Sequence, residues 1–440
     1  MSQSAFRLLA RPVPSARQSA LLIGIMTLGT RALGALRELV IAYCFGTAAM
    51  VDSYRISETL QSIFAGVARQ GFDLAAVPLL VSRRIQQGEE AEHRLRTTLT
   101  TLAAIVSSCT GMIVLISAPV LVRLLAPGLA AGSGRLATVL LRLMVPAILA
   151  TGLASALGAV HNARYRFAIP RLFDPIVNAV AITCLLLVPG LGVIGLAAGW
   201  SIGHLLALLP LLLPLVIMRK ALFSRLDADD SRSFLKLAAP GLLLSLIQPL
   251  NIAVGRSIAA SLPAGSVAVL GYADRLFMLP CYLMTASLTP VFLTRFSEFS
   301  AAGNHRKMRE QTSRLLWISA ALLIPAGLCL AILARPIVNL VYMRGAFSAT
   351  AAEQTARTLT GLSVGLFPAV AAAILAVAFR GSQDIRTPVI ALMSGAVVNA
   401  ALALLLCRRL ATLGVGLAMS ACQAVSALIL CLWFFLRRRE

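Results

Sequence analysis

The chain has 440 residues, of which 59% are hydrophobic and 13% charged, and its mean hydropathy is +0.87. That composition excludes a water-soluble globular domain and describes a polytopic membrane protein. The net charge of +22 does not point to nucleic acid, because the arginines cluster in short segments between apolar runs, where they set membrane orientation.

A hydrocarbon core about 30 Å thick takes about 20 residues of helix, and runs of that length predict an all-α protein with about twelve transmembrane helices. In chain order they are Leu21 to Phe45, Met50 to Leu80, Thr97 to Val122, Leu136 to Val160, Leu172 to Val188, Val193 to Met218, Leu237 to Leu262, Val267 to Leu293, Leu315 to Leu333, Leu359 to Phe379, Val389 to Leu406 and Leu413 to Leu436. The first, preceded by Arg7, Arg11 and Arg17, is interrupted by Arg31 and lacks a small-residue cleavage site, so it reads as a membrane helix and not a cleaved signal. The eight cysteines avoid metal-ligand spacing, and of the four histidines only His204 lies within a span, so neither a metal nor a cofactor is expected.

Positive residues crowd the N-terminus, the segments after spans 2, 4, 6 and 8, and the C-terminal Arg437 to Arg439, while the loops after spans 1, 5 and 7 have none. Both termini are therefore expected in the cytoplasm. The chain also repeats: Asn178-Ala179 recurs as Asn399-Ala400 and Gly195-Leu196-Ala197 as Gly416-Leu417-Ala418, each at an offset of 221 residues. Two six-helix parallel lobes follow, residues 1–219 and 233–440 joined by a cytoplasmic linker at 220–232, around a central midplane cavity.

The first two spans carry charges where hydrocarbon should be: Arg31, Arg37 and Glu38, then Asp52, Arg55, Glu58, Arg69 and Asp73. Each costs roughly 2.5–3.5 kcal/mol at the centre of a membrane helix and is kept where it faces water, a partner or a ligand. Asp52, Arg55 and Glu58 follow at i, i+3 steps, a ladder that can pair internally, and Arg256 and the pair Asp274-Arg275 add charge to spans 7 and 8. Structural ion pairing competes with an anion site, since guanidinium forks bind phosphate oxygens bidentately. For Arg31, Arg37 and Arg275 the anion reading is favoured. For Glu38, Asp52, Arg55, Glu58, Arg256 and Asp274 the expected role is cavity ion pairing or gating.

The stretch Thr30-Arg31-Ala32-Leu33-Gly34-Ala35-Leu36-Arg37-Glu38, then Phe45-Gly46 and Asp52, resembles the opening motif of the MurJ (MviN) lipid II flippase family, in the multidrug/oligosaccharidyl-lipid/polysaccharide exporter superfamily. Gly71-Phe72 through Val77-Pro78, Gly265-Ser266-Val267, Tyr272-Ala273-Asp274-Arg275-Leu276, Pro280, Arg344-Gly345-Ala346-Phe347 and Gln383 to Pro388 extend the resemblance in order along nearly the whole chain. It implies an inner-membrane transporter, not an enzyme, that moves an undecaprenyl-diphosphate-linked saccharide from the inner to the outer leaflet by alternating access. It also implies that Arg31, Arg37 and Arg275 grip the diphosphate. Peptidoglycan or polysaccharide synthesis is the implied context, with membrane lipids and the lipid-linked saccharide as partners.

Departures from the family pattern keep rivals in view. Leu60 to Gly66 lacks the family's paired arginines, Gly255 stands where an acid is common, and two further helices expected after span 12 do not follow before Glu440. These favour a flippase for a polyprenyl-linked exopolysaccharide or O-antigen unit as the nearest alternative. A cation-coupled multidrug exporter of the same superfamily is disfavoured by arginine, which repels cationic drugs. A polyprenol-dependent enzyme is disfavoured by the brevity of the first outer loop, Gly46 to Ala49.

Overall fold

A computed structural model describes residues 16–217, 221–223, 226–302, 304–382, 384 and 386–436, and among them the chain is all-helical. In order the helices are α1 (Ala16–Phe45), α2 (Ala49–Leu125), α3 (Ala131–Leu143), α4 (Val145–Ala163), the short α5 (Ala168–Arg171), α6 (Phe173–Leu187), α7 (Gly192–Ala207), α8 (Leu209–Ile217), α9 (Ala228–Ala259), α10 (Ser266–Ala301), α11 (His305–Ile332), α12 (Ala334–Tyr342), α13 (Ala349–Ser363), α14 (Leu366–Gly381) and α15 (Arg386–Leu436). Among the described residues seven stretches are long and apolar enough to cross a membrane, and α13 with α14, bent by 46°, makes an eighth. Two of the seven are double. The 77 residues of α2 and the 51 of α15 are broken at Gly88 (φ 86°) and Ala411 (φ 48°), so each carries two of the spans read from the sequence.

Proline explains the other breaks. Expected spans 4, 6 and 10 are each divided, at Met144, Leu208 and between Ser363 and Leu366, and α11 gives way to α12 at Leu333. A proline follows in the first turn of the second segment each time: Pro146, Pro210, Pro368 and Pro336. A proline has no N–H to donate and its ring crowds the carbonyl four residues earlier, so the helix stops and restarts. Apolar side chains on the outer faces fit a lipid surround: on α11, Trp317, Leu322, Leu328 and Ile332 are exposed.

The chain forms two compact units, each drawn from more than one stretch. The first holds the described residues up to Val40 with Ile56–Leu124 and Ala131–Leu246. One of its cores joins Phe72, Ala75, Ala76, Leu95, Leu99, Ala156, Ala159, Ala163, Phe234 and Ala238, where alanines let helices approach closely. Phe72 and Phe234 stack at 4.7 Å, so the opening turns of α9 pack with this unit. Charged side chains outside the apolar spans tie the same unit together. Arg164 donates to Glu92 at 3.0 and 2.8 Å and to Glu89 at 3.2 Å, and Arg83 meets Asp230 at 2.6 Å. The hydrogen bond to Glu92 holds the Arg164 guanidinium protonated more firmly than usual. The second unit holds Ile41–Arg55, Leu125–Ala130 and the described residues from Ile247 onward.

Candidate functional site

In the first unit Glu38 of α1 and Glu58 of α2 converge on Arg37. Its Nη2 donates to Glu38 Oε1 at 3.0 Å and to Glu58 Oε1 at 3.1 Å, and its guanidinium carbon lies 4.4 Å from the centre of the Trp200 ring. Arg37, Glu38 and Glu58 are 4%, 3% and 7% exposed, so a guanidinium with two carboxylates is enclosed within the unit. Cation–π contact of this kind strengthens when desolvated.

Small residues place Trp200. A Cβ on Gly199 would come within 2.6 Å of Cys184 Cβ, and one on Gly203 within 3.0 Å of the Val177 backbone. Glycines at i and i+4 thus let α7 lie against α6 and carry Trp200 and His204 inward. The buried His204 sets Nδ1 2.7 Å from the Trp200 carbonyl and packs its ring against Trp200 and Phe173, with centroids 4.8 and 5.4 Å apart. Arg31, one and a half to two turns before Arg37 on α1, is exposed.

Asp52, Arg55 and Arg256 belong to the second unit and take part in a clasp there. The Asp52 carboxylate accepts from the Gly265 N–H at 2.6 Å and the Ala268 N–H at 2.8 Å, capping α10 where its backbone donors are otherwise unsatisfied. Arg256 Nη1 donates to the Arg55 carbonyl at 2.9 Å. The fully buried Arg55 lays its guanidinium 5.5 Å from the Tyr272 ring, with Nε 3.2 Å from where a Cβ on Gly271 would stand. Tyr272 donates its hydroxyl to the Gly46 carbonyl at 2.9 Å and packs with Tyr342 and Phe347 at 5.1 and 5.4 Å. The Ala346 N–H donates to the Tyr43 carbonyl at 2.8 Å.

Three glycines of the sequence motifs make these approaches possible. Gly46, Gly265 and Gly345 all have positive φ, 54°, 93° and 60°. A Cβ on each would strike a backbone carbonyl, that of Ala346, Thr47 and Tyr43 respectively. Only a residue without a side chain takes that backbone conformation freely.

The structure thus brings Arg37, Glu38 and Glu58 together, and separately Asp52, Arg55 and Arg256. Asp274 and Arg275 follow Tyr272 on α10, both half-buried. Of the three arginines expected on a diphosphate, Arg31 and Arg37 fall in the first unit and Arg275 in the second. Of the ladder, Asp52 and Arg55 lie in the second unit, close enough for their charges to interact, and Glu58 lies in the first, where it meets Arg37. Trp200 and His204 carry no charge signal. What marks Trp200 in the sequence is a lone indole in the Gly- and Ala-rich span Val193 to Met218. The side chain of Asp73 lies outside the described residues.

Residues 41–440 match the family model described as lipid II flippase MurJ. A curated relative, the probable lipid II flippase MurJ of Rickettsia prowazekii (strain Madrid E), is 24% identical over 412 residues, 92% of this chain and 80% of its own length. A solved structure described as lipid II flippase MurJ in an inward closed conformation superposes with a TM-score of 0.83 at 22% identity, covering 95% of this chain and 87% of that one. An inward-facing multidrug resistance MATE family transporter of the MOP superfamily gives 0.81 at 15% identity, with 92% and 94% covered.

Proposed function

Because the chain belongs to the lipid II flippase MurJ family, we propose that it carries a polyprenyl-diphosphate-linked saccharide, lipid II first among them, from the inner to the outer leaflet by alternating access. It is a transporter in this reading and makes or breaks no covalent bond. The lobes at 1–219 and 233–440 alternate in exposing the cargo, in an inner membrane with both termini in the cytoplasm.

The observation that carries the reading is Arg37, a guanidinium enclosed in an apolar helix and set on the face of Trp200. A charge kept at that cost serves a charged cargo, and a diphosphate presents the oxygens that a planar fork of N–H donors binds best. Arg31 and Arg275 are the further diphosphate contacts in this reading. The lipid tail stays in the bilayer and needs no polar site.

The test is rescue of cells depleted of their own lipid II flippase. The wild-type chain restores growth, and Arg31→Ala, Arg37→Ala and Arg275→Ala each abolish rescue at normal membrane abundance. Variants that vanish from the membrane would make the arginines structural. A second reading, a flippase for a different polyprenyl-linked glycan, is favoured by Leu60 to Gly66, which supplies no arginine. Rescue only on overproduction would support it.

A further inference from the structure

Arg37 is held in a way that leaves a phosphate one route of approach. The indole of Trp200 covers one face of the guanidinium, and the N–H donors of a guanidinium lie in its plane. A ligand must therefore meet it at an edge. Both two-toothed edges, Nη1 with Nη2 and Nε with Nη2, include Nη2. That nitrogen carries two hydrogens, and two carboxylate oxygens stand on it at 3.0 and 3.1 Å. A bidentate grip on a phosphate at Arg37 thus requires one carboxylate to leave.

The two carboxylates are not equivalent. Glu38 is the next residue on α1 and moves with Arg37 whatever the helix does. Glu58 comes from α2, 21 residues away, and its side chain is 9% exposed against 3% for Glu38. Two like charges on one donor also repel each other in a medium of low dielectric, which lowers the cost of releasing one. Both helices cross to the second compact unit close by, α1 between Val40 and Ile41 and α2 between Arg55 and Ile56.

We propose that Glu58 is an exchangeable counter-ion: it occupies Arg37 in the empty carrier and is displaced by a phosphate oxygen of the cargo, which makes it a determinant of affinity and release. The proposal rests on the reading of Arg37 as a diphosphate contact. Glu58 keeps the guanidinium in place between cycles and competes with the cargo, so the cargo binds less tightly than the same arginine would otherwise hold it.

The experiment titrates undecaprenyl diphosphate into the full chain in phosphatidylcholine nanodiscs, reading Trp200 emission in a Trp317→Phe, Trp433→Phe background. Glu58→Gln replaces a charged acceptor with a neutral one, and Glu58→Asp keeps the charge but draws it back from Nη2. Both are expected to bind about tenfold more tightly than the wild type, the scale of one charge-assisted contact no longer displaced. Glu38→Gln is expected to change affinity less. A merely structural partner would not yield tighter binding on removal. If both Glu58 variants bind no tighter while Arg37→Ala loses binding, or if Glu38→Gln gives the larger gain, Glu58 is not the exchanging group. Failure of both Glu58 variants to fold would overturn the proposal too, since a counter-ion that leaves in every cycle cannot hold the unit together. Wild-type affinity in Arg37→Ala would instead remove Arg37 from the diphosphate, a separate failure.

Discussion

Asp52 offers the sharpest quantitative test of the clasp in the second unit. Its carboxylate accepts from two backbone N–H groups at the start of α10, at 2.6 and 2.8 Å, and is itself 3% exposed. Removing the side chain in Asp52→Ala leaves both donors buried without an acceptor. At about 1.5 kcal/mol for each charge-assisted bond the loss is about 3 kcal/mol, slightly above the range for an ordinary helix cap because two donors are stranded. In Asp52→Asn the amide retains one acceptor oxygen and turns an NH2 toward the other donor, so about half the loss is expected. Hydrogen exchange in nanodiscs reads these directly as opening equilibria of the segment that includes Gly265 and Ala268. Protection there should fall about a hundredfold in Asp52→Ala and about tenfold in Asp52→Asn, with the core around Phe72 and Phe234 unchanged. Equal protection in all three proteins would show that the cap contributes nothing, and the clasp would have to be held by its other hydrogen bonds, aromatic rings and glycines.

Gly46→Ala and Gly345→Ala combine positive φ with a Cβ driven into a carbonyl; each should cost more than about 2 kcal/mol and lower the thermal midpoint by several degrees, whereas Gly132→Ala, which meets nothing, should not. Arg164→Ala strands Glu92, which is 1% exposed, and should destabilise the first unit by about 2–3 kcal/mol in chemical denaturation; Glu92→Gln with Arg164→Ala should cost less than the two changes summed. For topology, single cysteines at Gly132 and Gly190 in a cysteine-free background should react with an impermeant thiol reagent added outside, and cysteines at Gly88 and Asp229 should not. Labelling of Gly88 from outside would invert the assignment.

The charged residues were legible in the sequence because hydrocarbon makes them conspicuous: Arg37, Asp52 and Glu58 stand out from runs that otherwise contain almost nothing polar. Not all of their partners were. Asp52 is answered by backbone amides, which leave no trace in residue identity, and Arg37 rests on Trp200, whose position depends on Gly199 and Gly203 letting α7 close on α6. Helix breaks followed the same division. Pro146, Pro210, Pro336 and Pro368 announce their interruptions, while the break at Ala411 has no proline and occurs in a residue that rarely adopts positive φ. The motif glycines could be recognised as a pattern, but their reason for being glycine lies in chain segments hundreds of residues away.

That separation also shapes how the protein is made. Asp52 enters the membrane early in synthesis, yet the amides that receive it are 213 and 216 residues further along, and the Ala346 N–H bonded to the Tyr43 carbonyl comes later still. At a translation rate of about 5–20 residues per second, residues 41–55 wait at least about ten seconds before their second-unit neighbours exist. During that interval a carboxylate and a guanidinium sit at the membrane with their eventual neighbours unwritten. Until then the two charges, one turn apart on the same helix, have chiefly each other and water to offset them.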